Sequence, residues 1–88
     1  MRNSEYVKNS VKDIKKYAKC RGYKVKYHAD DVNFYFDVYK RKLFGLNNKL
    51  IKSYFGIWDG RKYNFPAIFE TLRNFIMIKC GEDKSKNN

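Results

Sequence analysis

The sequence predicts a single α+β domain: an N-terminal helix, a three- to four-stranded antiparallel sheet with a long basic hairpin, and a C-terminal helix, with both helices packed on one sheet face. Three observations predict it. Apolar residues recur at steps of three and four near both ends of the chain, the spacing that gathers them on one side of a helix. Between those stretches the period drops to two, as in half-buried strands. Gly, Asn and Asp fall between the alternating runs, where turns need them.

Residues 4 to 20 read as the first helix, with Val7, Val11, Ile14 and Ala18 on one face. Ser4 suits the N-cap, Glu5 suits the first turn, and Gly22 supplies the stop. The opposite face carries Lys8, Lys12, Lys15, Lys16 and Lys19, equally suited to a solvated surface or to phosphate contact. Tyr23 to His28 alternates strictly, with Tyr23, Val25 and Tyr27 on one side, and Ala29-Asp30-Asp31 reads as a turn. Val32 to Val38 alternates again: Val32, Phe34, Phe36 and Val38 face the core, while Asn33, Tyr35, Asp37 and Tyr39 face away. Residues 40 to 52 hold five positive charges and no negative one, with Gly45 and Asn47-Asn48 supplying the turn of a hairpin with a basic tip.

The return strand runs from Ile51 to Trp58, with Ile51, Phe55 and Ile57 expected inward and Lys52, Tyr54 and Trp58 outward. Asp59-Gly60 is a two-residue hairpin signal, so a short fourth strand is expected after it. Asn64 then caps a second helix that carries Pro66 in its first turn and an apolar stripe of Ile68, Phe69, Leu72, Phe75 and Ile76. The expected layers bury Val25, Phe34, Phe36, Phe55, Ile57, Leu72 and Phe75 between them. Residues 1 to 80 form the domain, and 81 to 88, without an apolar residue, are expected as a disordered tail.

At 88 residues the chain is near the lower limit for folding alone, and its 18% aromatic content offsets that by burying much area per residue. Charge dominates the functional reading. Twenty Lys and Arg face nine Asp and Glu, a net +11 that draws polyanions. Lys, Asn, Ile, Tyr and Phe make up 45 residues and Ala only three, the bias of an AT-rich genome. That bias supplies acidic residues as readily as Lys, so it does not account for their scarcity. Cys20, Cys80 and a lone His28 form no metal-binding spacing, so neither metal nor other cofactor is expected, and two ordinary thiols fit a reduced cytoplasmic setting. No apolar run suits a signal peptide or a membrane span, so no membrane partner is expected.

The expected activity is therefore nucleic-acid binding, duplex DNA ahead of RNA, by a non-enzymatic accessory protein of a phage, plasmid or conjugative element. The tip around Lys40, Arg41 and Lys42, with Lys49 and Lys52, is the expected phosphate-contacting element, as basic β-ribbons are elsewhere. Lys24, Lys26, Tyr39, Tyr54 and Trp58 are expected beside it on the outer sheet face, where Lys neutralises phosphate and rings pack on base or sugar. Arg61 and Lys62, after the Asp59-Gly60 turn, complete the expected contact set. Outer-face aromatics suit a homodimer equally well, and they suit an inhibitor or adaptor that binds a host nuclease or defence enzyme. A small ribonuclease using His28 is the remaining alternative.

The helix, three-strand, helix order resembles that of double-stranded-RNA-binding domains and of the endoribonuclease toxins built on that layout. Lys26-Tyr27-His28-Ala29 stands in place of the toxins' Gly-Ser-His style motif, and Asn64-Phe65-Pro66-Ala67 in place of the Gly/Lys-rich helix start of the RNA binders. Three strands followed by a helix, with Tyr54-Phe55-Gly56-Ile57-Trp58-Asp59 near the last strand, is also similar to sheet-reading DNA-binding domains of plant-type regulators and integrase arms. That likeness implies a sheet face directed at DNA.

Overall fold

The structure is a computed structural model that describes residues 5–41 and 48–86. Helix α1 (Glu5–Lys19) is followed by strands β1 (Tyr23–Ala29), β2 (Asn33–Lys40) and β3 (Lys49–Ile57), and by helix α2 (Phe65–Lys86). The strands form one antiparallel sheet in the order β1-β2-β3, so the chain is α+β as its periodicities require. Both helices cover the same sheet face. The core joins Val7, Val11, Ile14 and Ala18 of α1 to Val25, Phe34, Phe36 and Val38 of the sheet and to Phe65, Ile68, Leu72 and Ile76 of α2.

Local chemistry sets the boundaries. Gly22 adopts a left-handed φ of 86°, which ends α1 without the steric cost a Cβ would incur. Its carbonyl then accepts the Arg41 N–H at 3.1 Å, tying the end of β2 to the start of β1. In the β1–β2 turn, Asp30 Oδ1 accepts from the N–H of Val32 at 2.8 Å and of Asn33 at 2.7 Å. Val32 belongs to this turn and is exposed, so the core alternation begins at Phe34 and not at Val32. Asn64 Oδ1 accepts the Ala67 N–H at 3.1 Å and caps α2 as its sequence predicts. Ser4, the expected cap of α1, lies outside the described residues.

Three expectations are corrected. First, β3 presents the opposite faces. Val38 pairs with Lys52 but Tyr39 pairs with Leu50, so Ile51 is an extra residue in a β-bulge. A one-residue offset moves every later side chain to the other face. Tyr54, Gly56 and Trp58 therefore turn toward the helices, and Phe55 and Ile57 toward the open face. Trp58 is 7% exposed, stacks on Phe65 at 6.0 Å, and donates from Nε1 to the Asp30 carbonyl at 2.9 Å.

Second, the described residues form no fourth strand. Asp59-Gly60 does turn, with the Gly60 N–H donating to the Ile57 carbonyl at 3.0 Å, and Tyr63 returns its carbonyl to the Ile57 N–H at 2.9 Å. Asn64 and Pro66 then start α2 within a few residues, which leaves no length for a strand. Third, α2 carries through Gly81 to Lys86, with Lys79 Nζ 3.4 Å from Glu82 Oε2 across that point. The expected basic hairpin tip, residues 42–47 including Lys42, lies outside the described residues. Among the described residues no helix is long and apolar enough to cross a membrane.

Candidate nucleic-acid interface

β1 is an edge strand, and its alternation sends Lys24, Lys26 and His28 to the face that the helices leave open. α1 lies on the other side of the same strand, and its C-terminal turns bring Lys15 and Lys19 to the strand's edge. The Gly22–Arg41 backbone bond holds Arg41 at the same end. A groove along β1 is consequently lined by Lys15, Lys19, Lys24, Lys26 and Arg41, together with His28, Tyr23 and Tyr27. Among the described residues Asp37 is the only carboxylate in its lining, and it is engaged by the Ser53 hydroxyl, which donates to its Oδ1 at 2.8 Å. Five cations converging on one open groove produce a local positive potential well beyond that of evenly spread charge.

The open sheet face carries rings beside those cations. The antiparallel register sets His28 opposite Tyr35, and Tyr35 opposite Phe55. The His28 and Tyr35 rings stack at 4.5 Å and 16°, and the Tyr35 and Phe55 rings at 6.2 Å and 26°. One ring from each strand thus forms a ladder across the sheet. Tyr39 lies on the same face, with Lys26 Nζ 5.1 Å from its ring centroid.

The residues expected from sequence divide by location. Lys24, Lys26 and Arg41 line the groove, and Tyr39 adjoins it through Lys26. Lys40 and Lys49 are paired across β2 and β3 at the base of the hairpin, and Lys40 Nζ is 4.8 Å from the Tyr23 ring. Lys52 is exposed on the helix side of β3, its Nζ 5.5 Å from the Tyr54 ring. Arg61 and Lys62 are exposed beyond the far end of β3 and do not line the groove. Tyr54 packs edge-on against Phe75 at 6.2 Å and Trp58 is in the core, so neither offers its ring to the open face. Sequence reasoning did not pick out the ladder. Phe55 was hidden by the bulge, whereas the pairing of His28 with Tyr35 follows from the strand register once the Asp30 turn is fixed.

Burial raises the phenol pKa of Tyr27 and of Tyr54, so both remain neutral acceptors or donors at physiological pH. The two backbone N–H groups, that of Asn33 foremost, hold the Asp30 carboxyl below its usual range. Cys20 is exposed and Cys80 half-buried, and both thiols are free. No cluster of three or more His, Cys, Asp or Glu that could hold a metal is found among the described residues. Comparison with known proteins gives no family model, no curated protein and no solved structure that matches this chain.

Proposed function

We propose that this chain is a small basic nucleic-acid-binding protein that docks the phosphate backbone in the groove along β1. The observation that carries this reading is the convergence of Lys15, Lys19, Lys24, Lys26 and Arg41, from two helical turns, one strand and the end of another, on one groove with a single engaged carboxylate. Helix and sheet contribute to it independently, which distinguishes it from a row of solvated lysines on one helix face. Phosphate is common to every nucleic acid, so the groove accounts for affinity and the choice of polymer falls to the rings of the sheet. Lys42, the remaining cation expected at the hairpin tip, lies outside the described residues.

Fluorescence anisotropy of a labelled oligonucleotide, titrated with protein over a range of salt concentrations, tests the proposal. Wild type is expected to bind with an affinity that falls steeply with salt. The triple variant Lys24→Ala, Lys26→Ala, Arg41→Ala is expected to bind less tightly, with a salt slope reduced by roughly two to three ions, about one per phosphate contact removed. These side chains are exposed, so the variant should fold normally. Absence of binding at low salt, or a triple variant with unchanged slope, overturns the groove.

A further inference from the structure

We infer that the ladder of His28, Tyr35 and Phe55 is a stacking platform for unpaired bases, and that the preferred ligand is therefore single-stranded nucleic acid. This rests on the groove's role in holding phosphate. The geometry that points to it is the position of His28. Its ring stacks on Tyr35 at 4.5 Å and 16°, and the same exposed residue lines the basic groove. Because β1 is an edge strand, no further strand among the described residues covers the ring's other side. The ladder thus ends in an aromatic face at the rim of the groove.

A strand whose phosphates lie among Lys24, Lys26 and Arg41 carries its bases past that rim. A base rotated onto His28 becomes the fourth ring of the ladder and requires no new cavity. The step between Tyr35 and Phe55 is looser, 6.2 Å and 26°, and Phe55 is 52% exposed. Phe55 lies on β3, the other edge strand, and a base edge or sugar packed on it removes apolar surface from water.

Every base has a π-face, so such a platform binds without reading sequence, and it needs the base out of a duplex. A paired helix can offer its stacked bases only at its ends. DNA and RNA single strands share the chemistry the ladder uses, and differ only in the sugar hydroxyl.

Three fluorescent probes of equal length separate the contributions: a thymidine oligonucleotide, an abasic phosphodiester of the same length, and a blunt duplex. A uridine oligonucleotide forms the RNA arm. The wild-type protein is expected to bind the thymidine strand at least about tenfold more tightly than the abasic strand, the weight of one or two stacked bases. His28→Ala should remove most of that difference, bringing the thymidine and abasic strands to within about threefold of each other. His28→Phe, which keeps a flat ring, should restore it to within about threefold. Circular dichroism and the fluorescence of the single Trp58 verify that each variant is folded.

Equal binding of thymidine and abasic strands, with His28→Ala silent on both, overturns the ladder while leaving the groove intact. A duplex bound more tightly than the thymidine strand overturns it also. No binding of any probe overturns ladder and groove together. Loss of affinity in His28→Ala that Phe does not restore overturns the stacking role.

Discussion

Gly56 is the position where a single methyl group tests the packing most directly. It sits on the helix side of β3, opposite Phe34. A Cβ built there would be 2.6 Å from Phe34 Cε1 and 2.6 Å from the Tyr63 carbonyl oxygen. Neither neighbour can withdraw freely. The Phe34 ring is fully buried, with Trp58 at 4.8 Å, Phe65 at 5.3 Å and Phe36 at 6.1 Å from its centroid. The Tyr63 carbonyl is held by the Ile57 N–H at 2.9 Å. In an unobstructed strand, Gly→Ala stabilises by about 0.5–1 kcal/mol, because the unfolded chain loses freedom. Here overpacking costs about 1–3 kcal/mol, and displacing the Tyr63 carbonyl weakens a bond of about 1 kcal/mol.

The net expectation for Gly56→Ala is a loss of about 1–3 kcal/mol, which in a domain this size lowers Tm by roughly 5–20 °C. Urea unfolding followed by Trp58 fluorescence and by circular dichroism reads it, since Trp58 lies against the affected ring. Pairing Gly56→Ala with Phe34→Leu, which trims the obstructing ring, should cost at least about 1 kcal/mol less than the two single losses added together. A neutral or stabilised Gly56→Ala would refute the close approach of Phe34, and with it the placement of Tyr54, Gly56 and Trp58 on the helix side.

Two further outcomes follow from local hydrogen bonds. Asn64→Ala removes the acceptor of the Ala67 N–H and should cost about 1 kcal/mol, within the usual 0.5–2 kcal/mol for an N-cap, read as a lower urea midpoint at constant slope. Asp30 has its pKa lowered by the N–H groups of Asn33 and Val32, so its charged form contributes stability above the ordinary carboxylate range, and that contribution is lost as pH falls through the lowered value. Asp30→Ala should therefore be less stable than wild type near neutrality, the gap narrowing in strong acid. A gap that widens on acidification has the wrong sign for this account.

Much of the fold is legible in the residues themselves. Val7, Val11, Ile14 and Ala18 mark the buried side of α1, Gly22 its end, and Asn64 with Pro66 the start of α2, because helix periodicity and capping are local properties. Phe34, Phe36 and Val38 mark the buried face of β2 for the same reason. The excess of positive charge, and the absence of any metal-binding spacing of Cys and His, are likewise plain from the chain.

The face of β3 is a different matter, because parity across a bulge depends on which residue the partner strand leaves unpaired. Ile51 looks like an inward residue by its chemistry, and only its pairing with β2 makes it the extra one. That single offset moved Tyr54 and Trp58 into the core side and Phe55 to the open face. The groove was also beyond sequence reasoning: Lys15 and Lys19 are far from Arg41 in the chain, and meet it only because α1 packs on β1 while Gly22 binds the end of β2. Composition thus determined the excess of positive charge, whereas tertiary packing decided which cations lie together, since electrostatic potential depends on distance in space and not on position along the chain.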